Sequence, residues 1–244
     1  MKLLIIRHGD PDYEHDSLTP KGFREADLLA EKLIKTPIDY YYVSSMGRAQ
    51  DTAAPTLAGK RRTAVICDWL REFSARLIWR PDVTTKRKIP WDWLPADWTS
   101  EDLFLQEETW MTQDIMAEAG IGTEYRYVID SFDTLLARHG YVRENRYYRA
   151  VRPNEDVIAL FCHFGLECVL LSHLWNVSPM PLWHGLCCAP TSVTTVVTEE
   201  RREGIASFRA SSVGDISHLY AAGESPSPAA SFCECYRNTH QRHD

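Results

Sequence analysis

Two short apolar runs in this sequence end in the same way. Leu3-Leu4-Ile5-Ile6 leads into Arg7-His8-Gly9, and Val157 to Cys162 leads into His163-Phe164-Gly165. An arginine offers a planar, permanently charged fork suited to phosphate. A histidine beside it can act as nucleophile, base or acid. A second arginine, Arg48, stands in Ser44-Ser45-Met46-Gly47-Arg48-Ala49-Gln50-Asp51-Thr52-Ala53. That places it in the first turn of an expected helix, where free N–H groups already favour an anion. Two arginines, two histidines and a helix start make a cationic pocket in a chain whose formal net charge is −7. Such a pocket suits a phosphoryl group and the charge that develops on it during transfer.

These residues act together only if the chain brings them to one place. Short apolar runs bounded by glycine read as buried parallel strands. Gly9 is expected to end the first of them by adopting backbone angles that other residues avoid. Between the runs, Thr19 and Pro20 mark the N-cap and first position of a helix whose apolar face is Ala26, Leu28, Leu29, Ala30 and Leu33. Tyr40 to Ser44 is a second strand, with Ser44 or Ser45 expected to cap a helix over 47–58, and Thr63 to Cys67 is a third strand. The β-α-β-α-β alternation argues for a parallel sheet with crossover helices. In such a sheet the strand ends carrying Arg7, His8 and His163 share one edge, the edge where open α/β sheets bind ligands.

The rest of the chain is plainer. Helices are expected over 123–139 and 166–174, and Ser192 to Thr198 with Ile205 to Ala210 reads as a hairpin around Glu203-Gly204. The segment 141–152 gives no clear pattern. From about Phe73 to Gly122 the composition changes: Trp79, Trp91, Trp93, Trp98 and Trp110 fall here among prolines and charges. This reads as an insertion packing over the sheet, with short helices such as 101–119. Its aromatics are expected to form local core, and a substrate-facing wall is the sharper alternative. From Ala221 to Asp244 the chain turns to Ser, Pro, Ala and polar residues, as in a disordered tail.

Bulk properties narrow the function. With 44% hydrophobic and 25% charged residues the composition is that of a globular protein. The acidic balance argues against nucleic acid or an anionic membrane as partner. No apolar run approaches a membrane span, and the N-terminus does not read as a signal peptide. Seven cysteines without framework spacing read as reduced thiols, hence a cytoplasmic location. Cys187-Cys188 and Cys233-x-Cys235 lack a second ligand pair, so no metal site is expected.

The motifs, in their order and spacing, resemble those of the histidine phosphatase superfamily, the phosphoglycerate-mutase-like group. The matching pieces are Leu4-Ile5-Ile6-Arg7-His8-Gly9, Leu18-Thr19-Pro20-Lys21-Gly22, Ser44 to Ala53, Leu70-Arg71-Glu72 and the late His163. The resemblance, with the alternation above, implies a three-layer α/β/α sandwich with a mostly parallel central sheet. The Trp-rich insertion would lie over the active site, and one domain would span 1–220. It also implies a hydrolase. His8 would be the nucleophile forming a phosphohistidine, with its other ring nitrogen held by a backbone hydrogen bond. Arg7, Arg48 and His163 would hold the phosphoryl oxygens. Glu72 would be the proton donor, with Asp68, Asp82 and Glu155 as alternative carboxylates. No cofactor is implied, because the arginines neutralise charge without a metal. The partner is a small phosphorylated metabolite, and homodimerisation is left open. His184, beside Trp183, is read as structural.

The sequence departs from the family pattern at Asp10, where glutamate or glutamine is common, at Glu25, where glutamine is common, and at Cys162, where serine often precedes the histidine. Two other functions compete with a phosphatase. A phosphomutase would return the phosphoryl to substrate, but the Asn-Glu-Arg type of block that marks mutases is replaced after Glu72 by Phe73-Ser74-Ala75. A catalytically inactive phospho-ligand binding module would not need the intact set of Arg7, His8, Arg48, Glu72 and His163.

Overall fold

The computed structural model describes residues 1–73, 77–80, 82–229, 234–235 and 237–242. Eight strands form the central sheet: β1 (Lys2–Arg7), β2 (Tyr40–Ser44), β3 (Val65–Cys67), β4 (Tyr141–Glu144), β5 (Tyr147–Ala150), β6 (Val157–Cys162), β7 (Val193–Arg202) and β8 (Ile205–Asp215). Their spatial order is β3-β2-β6-β1-β7-β8-β5-β4. The main helices are α1 (Pro20–Lys35), α2 (Gly47–Lys60), α3 (Ile121–Arg138), α4 (Phe164–Trp175), α5 (Pro179–Gly185) and α6 (Ser217–Ala222).

The α/β layering agrees with the sequence reading, but the sheet is mixed rather than mostly parallel. β3, β2, β6 and β1 run parallel. β7, β8, β5 and β4 are each joined antiparallel to the preceding strand in that order. The reason lies in the connections. Parallel neighbours need crossover helices, whereas β7–β8 and β4–β5 are hairpins closed by short turns. The β4–β5 hairpin is built from the segment 141–152, which carries no clear sequence pattern, and it forms the far edge of the sheet. The β7–β8 turn passes through Gly204 at φ +74, as the Glu203-Gly204 pair suggested.

Side-chain alternation along β1 separates the two cores. Leu4 and Ile6 pack with Leu29 and Leu33 of α1 and Ala49 and Ala53 of α2. Leu3 and Ile5 belong to the other face, with Phe132 and Leu136 of α3 and Leu166 and Leu170 of α4. α1 begins as expected: the Thr19 hydroxyl accepts from the Gly22 N–H at 3.1 Å, with Pro20 next. Gly9 does end the strand, but for a different reason from the one expected. Its φ is not positive; instead a Cβ there would lie 2.8 Å from the Gly22 carbonyl oxygen. Two glycines are what let the loop after β1 lie against the start of α1.

The insertion contributes an antiparallel pair, Ile78–Arg80 with Val83–Lys88, and a series of single turns. In place of one helix over 101–119 there are short turns at Asp102–Leu105, Trp110–Thr112 and Asp114–Glu118. Trp91, Trp93 and Trp110 are buried in the α3/α4 core, as expected of local core, while Trp79 is largely exposed.

The expected boundary of a disordered tail at 221 falls inside α6. Beyond it, Lys21 binds both the Glu224 carboxylate (2.9 Å) and the Ser225 carbonyl (2.5 Å), and the Ser227 N–H donates to Glu25 (3.1 Å). Short strands Glu234–Cys235 and Asn238–Arg242 pair further on. The low hydropathy of this stretch signalled disorder. In its first part, 224–227, the chain makes polar contacts with α1 that composition does not reveal. Cys233 of the Cys-x-Cys pair lies outside the described residues. Among those described, no helix is long and apolar enough to cross a membrane.

Candidate active site

The parallel register of β1 and β6 pairs Arg7 with Cys162, so the residues that follow each strand emerge side by side. The His8 N–H donates to the Cys162 carbonyl at 3.0 Å, and the rings of His8 and His163 lie 5.1 Å apart. The facing histidines expected from the sequence are therefore present. β2 is the other neighbour of β6, and it delivers Ser44. Its hydroxyl lies 2.9 Å from His163 Nε2.

His8 Nδ1 lies 2.7 Å from the Gly9 carbonyl oxygen. A carbonyl can only accept, so Nδ1 carries the proton and Nε2 presents its lone pair. Burial, and then the adjacent Arg7 charge, hold His8 well below the usual imidazole range; Arg48 adds to this while the Gly9 bond opposes it. His8 is thus neutral near pH 7, the state a nucleophilic imidazole requires. Burial, then His8 and the two arginines, depress His163 in the same direction.

Arg48 sits at the second position of α2 and is almost fully buried. Asp16 holds it: one carboxylate oxygen accepts from Arg48 Nη1 at 2.5 Å, and the other accepts from the Gly47 N–H at 2.7 Å. Asp16 therefore fixes the arginine and caps the helix at once. The serine cap expected for α2 does not form; the N-cap is Met46, and Ser44 faces His163 instead. Thr52 ties α2 to the loop after β1, accepting from the Gly9 N–H (2.9 Å) and donating to the Arg48 carbonyl (2.7 Å).

Arg7 is fixed through its outer nitrogens, Nη1 to the Cys188 carbonyl and Nη2 to the Ala229 carbonyl at 2.8 Å. The 224–229 segment thus reaches the site directly. Ser227 links it to the residues that depart from the family pattern, donating through Oγ to Asp10 while its N–H donates to Glu25. Glu25 also accepts from the Asp10 N–H at 2.9 Å, and burial pushes its carboxyl up to about 7.

Glu72 Oε1 accepts from the Phe73 N–H (2.9 Å) and from the Leu166 N–H (3.1 Å), one of the unpaired donors at the start of α4. Burial raises its pKa above the usual carboxylate range, with these N–H groups and the arginine charges opposing the rise. The alternatives stand elsewhere. Asp82 pairs with Arg80, Asp68 is exposed at the start of a 3-10 turn, and Glu155 lies near the N-terminal amine. His184 stacks on Trp98 and binds the Met180 carbonyl, away from these residues.

Arg7, His8, Arg48 and Glu72 line one cavity of about 210 Å³, together with Tyr13, Ile89, Trp91 and Phe164. Gly165 sets its size. A Cβ there would lie 2.2 Å from the Trp91 ring and 2.7 Å from Glu72 Oε1. Gly165→Ala should therefore displace both side chains and destabilise the protein by about 1–3 kcal/mol through overpacking. Thermal unfolding checks this, and an unchanged midpoint would show that the wall yields freely.

A model of the histidine phosphatase superfamily (branch 1) matches residues 3–117, which include Arg7, His8, Arg48 and Glu72. Over that stretch, a little under half of the chain, it is similar to the histidine phosphatase superfamily. Among individual proteins, it is 34% identical over 82 residues to "Probable phosphatase C1687.21" of Schizosaccharomyces pombe. That match spans 30% of this chain and only 39% of the relative's length. The fold is shared with phosphoserine phosphatase of Entamoeba histolytica, solved with 3-phosphoglyceric acid (TM-score 0.56, 16% identity, covering 89% of this chain and 98% of the other). It is also shared with YhfR of Bacillus stearothermophilus (TM-score 0.55, 18% identity, 89% and 98%). A third similar structure is a mycobacterial glucosyl-3-phosphoglycerate phosphatase (TM-score 0.51, 17% identity, 87% and 98%).

Four of the site residues were legible because strand ends and a helix start fix their place. Asp16, Ser44, Tyr13 and the Ala229 carbonyl were missed. Asp16 has a local signal in hindsight: it adopts φ +48, a region in which aspartate is enriched among non-glycine residues.

Proposed function

We propose that this chain is a phosphomonoester hydrolase that acts on a small phosphorylated metabolite through a phosphohistidine at His8. One observation carries the reading. Among the described residues, Arg7 Nε, Arg48 Nε and His163 Nδ1 are buried and have no hydrogen-bond partner, and all three residues surround His8. Buried polar groups are normally paired, and an unpaired one costs about 1–3 kcal/mol. Three such donors around a neutral histidine suit an anion with several oxygens. The assignment at His163 needs its proton on Nδ1. Ser44 accepts from the Met46 N–H and can give its own hydrogen to His163 Nε2, which leaves Nδ1 as the donor.

The steps follow from these roles. His8 Nε2 attacks phosphorus; the P–N bond forms as the P–O bond to the alcohol breaks. Glu72, whose pKa burial raises, gives its proton to the departing oxygen. Arg7, Arg48 and His163 stabilise the charge on the remaining phosphoryl oxygens. Water then attacks phosphorus, its proton passes to Glu72, and the P–N bond breaks to release phosphate and neutral His8.

Hydrolysis of p-nitrophenyl phosphate by the purified chain tests the reaction class. Turnover is expected between about pH 5 and 8, the range in which side-chain acids and bases of this kind commonly work. Absence of phosphate release across that range would remove the hydrolase reading.

A further inference from the structure

The part of the cavity that does not face the phosphoryl group says what the phosphate is attached to. Its charged residues are Arg7, Arg48 and Glu72, and its histidine is His8. Each has a role at phosphorus. The arginines are also tied in place, Arg48 by Asp16 and Arg7 by backbone carbonyls, so neither is free to swing toward a second anion. The rest of the wall is Tyr13, Ile89, Trp91 and Phe164. No further cation and no amide side chain lines it among the described residues.

That wall is rigid where it is most apolar. Trp91 lies against Trp183 (ring centroids 5.6 Å apart) and meets Phe164 edge-on at 6.3 Å. Trp183 is fixed in turn by its indole N–H, which donates to the Gly165 carbonyl at 2.9 Å. Phe164 and Tyr13 each flank a clamp arginine, with ring centroids 5.9 Å from Arg7 Cζ and 5.5 Å from Arg48 Cζ. An apolar ring placed here gains about 25 cal/mol for each Å² it removes from water, and aromatic pairing adds to that. A carboxylate or second phosphate placed here would meet, among the described residues, only the Tyr13 hydroxyl and no cation beyond the two clamp arginines.

We infer that the substrate is the phosphomonoester of an uncharged, flat apolar alcohol of the arylmethyl type, and not a phosphorylated hydroxy acid. The inference rests on the hydrolase reading above and adds the leaving group to it. It separates this chain from the similar structures named for phosphoserine and 3-phosphoglycerate chemistry, whose ligands carry carboxylates.

The test compares benzyl phosphate with 3-phosphoglycerate. Both leave as alkoxides, so the comparison is not dominated by the easy departure of a phenolate. With the full chain, kcat/KM should favour benzyl phosphate by at least about tenfold. Ile89→Lys, which adds a cation to the apolar wall, should shrink that preference about tenfold or reverse it. Calorimetric binding of benzylphosphonate against 3-phosphonopropionate reads the same preference without turnover and should favour the benzyl compound. If neither phosphate ester nor p-nitrophenyl phosphate is hydrolysed but benzylphosphonate binds more tightly, the hydrolase reading fails and the leaving-group assignment stands. Preference for the carboxylated compounds in both measurements overturns the assignment and leaves the hydrolase reading intact.

Discussion

His8→Ala is expected to abolish turnover, with a loss on the order of 10⁴-fold or more, because the proposed pathway has no other nucleophile. The substitution leaves Arg7, Arg48 and His163 in place. Binding of inorganic phosphate should therefore survive within a few-fold while kcat collapses. The two readouts together separate a lost nucleophile from a collapsed pocket. Among the described residues His8 makes one side-chain bond, to the neighbouring Gly9 carbonyl, so the variant should fold. A His8→Ala protein that turns over at the wild-type rate would remove His8 from the chemistry.

Glu72→Gln is the second large effect. Glutamine keeps a carbonyl oxygen able to accept from the Phe73 and Leu166 N–H groups that hold Glu72, but it has no proton to give. Loss of a general acid typically costs 10²–10⁴-fold. Alkyl phosphates should carry most of that loss, and p-nitrophenyl phosphate little, because its leaving group departs without protonation. The pH profile follows from the same group. Glu72 is titrated above the usual carboxylate range and acts as an acid only when protonated. The wild-type rate on alkyl esters should fall as pH rises through that raised pKa. His8 is titrated well below the usual imidazole range and attacks only when neutral, so the rate should also fall as pH drops through the depressed pKa. Glu72→Gln should erase the basic limb and keep the acidic one. Equal losses on alkyl and aryl esters, or a surviving basic limb, would assign the proton to another group.

How far the sequence alone reached depends on the range of the interaction. Arg7, His8 and His163 were readable because each follows an apolar strand, and parallel pairing leaves no choice but to bring those strand ends together. Arg48 was readable because a helix start fixes its place. Glu72 was not fixed by any local pattern; only the family resemblance singled it out, and its place in the cavity depends on an N–H from α4. The supporting contacts were illegible for a related reason. Asp16 reaches across to α2, and Ala229 reaches Arg7, through folded loops whose paths follow from no periodicity. Ser44 shows the complementary error. A serine before a helix signals a cap, but here its hydroxyl meets a histidine delivered by a distant strand. Of the antiparallel half of the sheet the β7–β8 hairpin was legible from its turn, while the β4–β5 hairpin and the pairing of β7 with β1 were not, since alternation along the chain reports strands and not the direction in which they pair.

Asp10 and Glu25, the departures nearest the site, acquire a structural account. Both bind Ser227, in a segment whose composition suggested disorder. The unusual acids therefore serve to anchor the C-terminal stretch beside Arg7 and are not turned toward a phosphoryl oxygen by these bonds.

The most direct test of the central claim is to trap the covalent intermediate. The full chain would be mixed with a ³²P-labelled ester, quenched in alkali within one turnover, digested and mapped. One label, stable in base and labile in acid, is expected on His8 and none on His8→Ala. A label on any other residue, or turnover with no protein-bound phosphate at any quench time, would contradict it.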